Sequence, residues 1–92
     1  MINKNDLIGT WTSDSTKELG DITLEFKPNG ELVYSVKENN KKQIINLIYW
    51  LEGDYIYTDQ PSSPRIEKTL AKLKDTKLVL DYSGIETSYS KI

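Results

Sequence analysis

Ile22-Thr23-Leu24-Glu25-Phe26-Lys27-Pro28-Asn29-Gly30-Glu31-Leu32-Val33-Tyr34-Ser35-Val36 is the stretch that decides the fold class of this chain. Ile22, Leu24 and Phe26 alternate with Thr23, Glu25 and Lys27, and Leu32, Tyr34 and Val36 repeat the pattern after the turn. A period of two is that of a strand with one dry face and one wet face. Between the two runs, Asn29-Gly30 offers the positive φ that a tight hairpin needs. The stretch therefore reads as a β-hairpin whose apolar face belongs to a core.

Working outward, the same signals continue. A first strand runs from about Leu7 to Ser13. After the hairpin, Glu38 to Lys42 forms a polar loop and Gln43 to Leu51 a fourth strand. Glu52-Gly53-Asp54 turns the chain into a fifth strand, Tyr55 to Thr58. Asp59 to Pro64 is a loop, since Pro61 and Pro64 cannot donate to a ladder. Turns at Asp75-Thr76 and Ser83-Gly84 set off strands at Leu78 to Leu80 and Ile85 to Lys91. Tyr, Ile, Val, Thr and Trp suit pleated surfaces. Only Arg65 to Lys74 is two-sided. Ile66, Leu70 and Leu73 fit a helical face begun at Ser63-Pro64, and alternation fits a strand equally well. With a strand there, eight short strands predict a closed, antiparallel up-and-down barrel, because closure removes exposed edges. With a helix over 64–74 the fold is α+β. At 92 residues the chain is expected to be one domain, 1–92.

Four segments resemble bacterial lipocalin-like domains. Leu7-Ile8-Gly9-Thr10-Trp11 is similar to their opening Gly-x-Trp strand, and Phe26 to Leu32 to their second hairpin. Tyr49-x-Leu51-x-Gly53-Asp54-x-Ile56 and Leu70-x-x-Leu73-x-Asp75-x-x-Leu78-Val79-Leu80 follow in the same order. The resemblance implies a calycin-type barrel with Trp11 plugging one end. It favours a strand after Pro64. It supplies no ligand-binding residue, because no shared binding motif maps onto this sequence.

Composition narrows function. The chain has no His and no Cys, so the usual general base, the activated thiol and the commonest zinc ligands are missing. No catalytic residue, cofactor or metal is expected. Fourteen acidic residues remain, but a small domain needs such charge for solubility. A net charge of −2 argues against nucleic acid or an anionic membrane as partner. Met1 to Asp6 is polar, without the apolar core of a signal peptide, and together with the absence of Cys this reads as cytoplasmic.

Alternation also sorts the side chains by face. Trp11, Ile22, Leu24, Phe26, Leu32, Tyr34, Val36, Ile45, Leu47, Tyr49, Leu51, Ile56, Leu78 and Leu80 are expected inside, where their bulk fills a small barrel. Ile44, Ile48 and Trp50 then point out from the fourth strand, and Tyr55 and Tyr57 from the fifth. Large apolar groups on a wet face mark contacts, and Trp and Tyr are favoured interface anchors. From Gln43 to Pro64 there are three acids, Glu52, Asp54 and Asp59, and no Lys or Arg. The candidate partner site is Ile48, Trp50, Glu52, Asp54, Tyr55, Tyr57 and Asp59, suited to a basic protein. The expected function is non-enzymatic: a cytoplasmic inhibitor or immunity protein that neutralises a protein toxin, such as a basic nuclease. The alternative is a lipocalin-like carrier of a small apolar molecule, with a cavity between Tyr34, Tyr49 and the barrel mouth. Three plainer readings of the aromatic hairpin compete: cross-strand pairing that stabilises it, cover by the N-terminal arm or the loop from Asp59, and a homodimer face.

Overall fold

A computed structural model describes residues 2–14, 21–38, 40–74, 76–82 and 84–92, with backbone alone at 38 and 82. Asn39, Asp75 and Ser83, which the sequence places in turns, lie outside the described residues. A short helix α1 (Lys4–Leu7) precedes eight strands: β1 (Gly9–Ser13), β2 (Asp21–Phe26), β3 (Glu31–Glu38), β4 (Lys41–Glu52), β5 (Tyr55–Asp59), β6 (Glu67–Lys74), β7 (Lys77–Tyr82) and β8 (Ile85–Lys91). Each strand pairs antiparallel with the next, and β8 returns to β1, giving the expected closed up-and-down barrel.

The segment after Pro64 is a strand, so the helical alternative over 64–74 is excluded. Pairing explains the outcome. β6 hydrogen-bonds to β5 on one side and β7 on the other, with Ile56 opposite Thr69 and Ala71 opposite Leu80. Ile66, which the helical reading needed on its buried face, is 65% exposed and precedes the strand.

Two boundaries differ from the sequence reading. Leu7 belongs to α1, not to the first strand. Asn3 caps the helix by accepting the Asn5 N–H, and Gly9 at φ +135° turns the chain into β1. Lys41 and Lys42 belong to β4, not to a loop, because Glu38 pairs directly with Lys41 and the turn is tight, with Asn40 at φ 66°.

The inward face follows the alternation. Trp11, Ile22, Leu24, Phe26, Leu32, Tyr49, Ile56, Leu78 and Leu80 are buried, and Tyr34, Val36, Leu47 and Leu51 pack against them. Ile2, Leu7, Ala71 and Tyr89 complete the core. Burying each large side chain stabilises the fold by about 1.5–3 kcal/mol.

The barrel has one sealed end. There α1 lays Leu7, fully buried, over the interior, and the Trp11 indole N–H donates to the Leu7 carbonyl at 2.9 Å. Lys91 lies 5.5 Å from the Trp11 ring. Its Cε would stand 2.7 Å from a Cβ added at Gly9, where φ +135° is the feature that requires glycine in the Gly-x-Trp segment. Along the seam between β1 and β8, the Lys77 ammonium donates to Asp14 at 2.9 Å and to Ser90 at 2.6 Å, while the Ser90 hydroxyl donates to Asp14. These bonds, with the Ser90 hydroxyl first and the lysine second, hold the Asp14 carboxyl below its ordinary pKa.

Candidate functional site

The candidate residues occupy one hairpin, β4–β5, and its register sets their geometry. Ile48 stands opposite Asp59, Trp50 opposite Tyr57 and Glu52 opposite Tyr55. Six of the seven candidates thus form three cross-strand rows on the outer face, and Asp54 sits in the turn beyond them. Trp50 and Tyr57 stack, with centroids 5.6 Å apart and planes at 16°. Ile48 is 40% exposed and Ile44, further along β4, is 54% exposed. Trp50, Tyr55 and Tyr57 are half-buried.

The inner face of the same hairpin is core. Tyr49 meets the edge of Phe26 at 5.1 Å and 84°, and its hydroxyl donates to the Lys27 carbonyl at 2.8 Å. Its backbone N–H donates to Gly30, which pins the β2–β3 turn onto β4. That turn needs Gly30 at φ +94°. It brings Glu31 beside Ile48, so Glu31 joins the outer face as an acid that lies outside the sequence-local window.

Register also brings in a base that the window from Gln43 to Pro64 hides. Lys68 on β6 stands opposite Tyr57, and its ammonium lies 4.5 Å from the Tyr55 ring centroid. The aromatic rows are thus edged by Glu52 toward the turn, by Glu31 and Asp59 on either side of Ile48, and by Lys68 on β6. Pairing between strands was the missing signal; it is set by loop lengths that a linear charge count does not use.

The surrounding segments border the patch. A groove of about 650 Å³ separates Ile2, Asn3 and Lys4 from Tyr49, Trp50 and Leu51. The loop after β5 is held by Asp59, which accepts the Arg65 backbone N–H at 2.9 Å. Asp59 therefore serves the loop as well as the rim.

The interior holds one further feature. Toward the end opposite α1, a cavity of about 110 Å³ has an apolar wall that includes Phe26 and Leu32, and a polar side of Tyr34, Thr58, Glu67 and Thr69. Tyr49 does not line it. Its volume is well below the roughly 300 Å³ at which drug-sized sites begin. Burial raises the pKa of the Tyr34 and Tyr49 hydroxyls. Among the described residues, no group of three or more His, Cys, Asp or Glu could hold a metal ion, and no helix is long and apolar enough to cross a membrane.

No family model, curated protein or solved structure matches this chain.

Proposed function

We propose that the protein is a non-enzymatic binding protein whose working surface is the outer face of β4–β5, and that it acts as a cytoplasmic inhibitor of a protein toxin, in the manner of an immunity protein. The observation that carries this reading is the stacked Trp50–Tyr57 pair on a solvent-facing sheet beside the exposed Ile48. Aromatic groups there can be desolvated by a partner, which is how interface anchors work. Glu31, Glu52 and Asp59 beside them favour a partner of positive charge, such as a basic nuclease domain, and would speed its capture. The resemblance to lipocalin-like domains is carried by the sequence segments and accords with a barrel. Carriage of an apolar molecule is the weaker reading, because the interior cavity is only about 110 Å³.

The test is co-expression with the product of an adjacent open reading frame in a host that this product kills. Wild-type protein is expected to restore growth and to co-purify with it. The variant Trp50→Ala with Tyr57→Ala is expected to fold and to do neither. If charge reversal of Glu52, Asp54 and Asp59 leaves binding of the partner unchanged, the contact surface lies elsewhere.

A further inference from the structure

The register places Glu31, Ile48 and Asp59 in a single row across β3, β4 and β5, all facing outward. Neighbouring strands lie about 4.8 Å apart, so the two acidic Cα positions are separated by roughly 10 Å with the exposed isoleucine between them. Each carboxylate is anchored by one oxygen. Glu31 accepts from the Asn29 amide at 2.6 Å and Asp59 from the Arg65 backbone N–H at 2.9 Å. Asn29 is itself fixed, because it accepts the Glu31 N–H. The second oxygen of each group takes part in no hydrogen bond among the described residues. Two carboxylates held by their neighbouring loops thus flank an exposed isoleucine, and the planar Trp50–Tyr57 stack forms the next row.

We infer that this face receives an arginine carried on an apolar segment of the partner, its guanidinium lying over Ile48 between Glu31 and Asp59. This rests on the proposed function and specifies which group of the partner is recognised. Charge complementarity selects the occupant. A guanidinium presents donors on two edges, so one group can serve both carboxylates at once. Its weakly hydrated plane and alkyl stem lie against isoleucine and an indole face at a lower desolvation cost than a strongly hydrated ammonium. Lys68 bounds the surface on β6 by occupying the face of Tyr55, which leaves the Ile48 row as the place for a second cation. Ile44, two outward positions before Ile48 on β4 and beyond the exposed Asn46, offers a second apolar contact for the residues that flank the arginine.

The experiment uses a short amidated peptide, Ala-Leu-Arg-Leu-Ala, titrated into isotopically labelled full-length protein and followed by NMR. Its counterpart carries citrulline, which keeps shape and removes charge. The arginine peptide is expected to shift the amides of Glu31, Ile48, Trp50 and Asp59, and to bind at least about tenfold more tightly than the citrulline peptide. Glu31→Gln combined with Asp59→Asn should abolish that difference, while Glu25→Gln combined with Glu86→Gln, on the outer faces of β2 and β8, should leave it intact. Equal binding of the two peptides, shifts confined to β6, or no shift at millimolar peptide would each overturn the inference. Failure is separable from failure of the proposed function. If the toxin partner is lost with Trp50→Ala but fully retained by Glu31→Gln/Asp59→Asn, the docking face stands and the arginine site falls.

Discussion

The β4–β5 hairpin takes part in two aromatic pairs in opposite settings, one with Phe26 of β2 and one within itself. On its inner face Tyr49 meets Phe26 edge to face, 5% exposed and hydrogen-bonded to Lys27. On its outer face Trp50 and Tyr57 stack where water reaches them. Tyr49 and Trp50 are adjacent in sequence, so composition and local propensity are nearly the same for both. The difference lies in what each pair achieves. The inner pair is fully accounted for by packing, because removing it opens a hole in a core that is already small. The outer pair gains a modest cross-strand energy, about 0.2–1 kcal/mol for such pairs, and leaves apolar surface in contact with water.

Substitutions that separate the two faces test this contrast. Tyr49→Ala should cost the most, about 3–5 kcal/mol by analogy with other large-to-small aromatic changes in cores, read by urea unfolding. At 92 residues that approaches the whole stability of the domain, so loss of the cooperative transition is also an expected result. Tyr49→Phe keeps the ring and removes only the bond to Lys27, and should cost about 1–1.5 kcal/mol. Trp50→Ala should cost about 1 kcal/mol or less in unfolding while weakening partner binding tenfold or more, as calorimetry or surface binding would show. A large stability loss with unchanged binding would assign Trp50 to the fold alone. Lys68→Ala should be smaller still, about 0.5 kcal/mol for an exposed cation over an aromatic ring.

Titration sharpens the inner side of the comparison. Burial raises the Tyr34 and Tyr49 hydroxyls above their ordinary value of 10.0. A group whose folded pKa is raised contributes stability that is full below its unfolded pKa and is lost as pH rises through the folded one. The barrel should therefore weaken in the alkaline range above pH 10, with late phenolate absorbance that Tyr49→Phe diminishes. Asp14 works in the opposite direction. Its lowered carboxyl supports the β1–β8 seam above its unfolded pKa and releases it as pH falls through the folded value, an acid effect that Asp14→Asn removes.

Much of the fold was legible in the sequence because Ile22, Leu24 and Phe26 alternate without interruption and Gly30 follows at the turn. What stayed closed depended on partners rather than on local pattern. Leu70 faces outward opposite Tyr55 while Leu73 faces inward opposite Leu78, and that pairing, not the spacing of leucines, makes Arg65 to Lys74 a strand. Leu7 continued an apolar run and read as strand, yet the Asn3 cap and the backbone of Gly9 place it on a helix that closes the barrel. The candidate site was legible as outward aromatics on β4 and β5. Its neighbours Glu31 and Lys68 come from strands 17 and 11 positions away from their row partners Ile48 and Tyr57, so no window along the chain contains the charge pattern that the surface has.

The seam between β1 and β8 has a consequence for synthesis. Thr12 pairs with Ser90, and the Ile92 N–H donates to Thr10, so the first strand finds its second neighbour only in the last one. During translation, β1 to β7 can collapse as a curled sheet with two open edges, but the cylinder cannot shut until residues 85–91 have cleared the ribosome. Closing so long a loop is slow relative to forming each hairpin. For that interval the nascent chain exposes edges that the finished protein lacks, which makes the final strand the step at which pairing with other chains competes with folding.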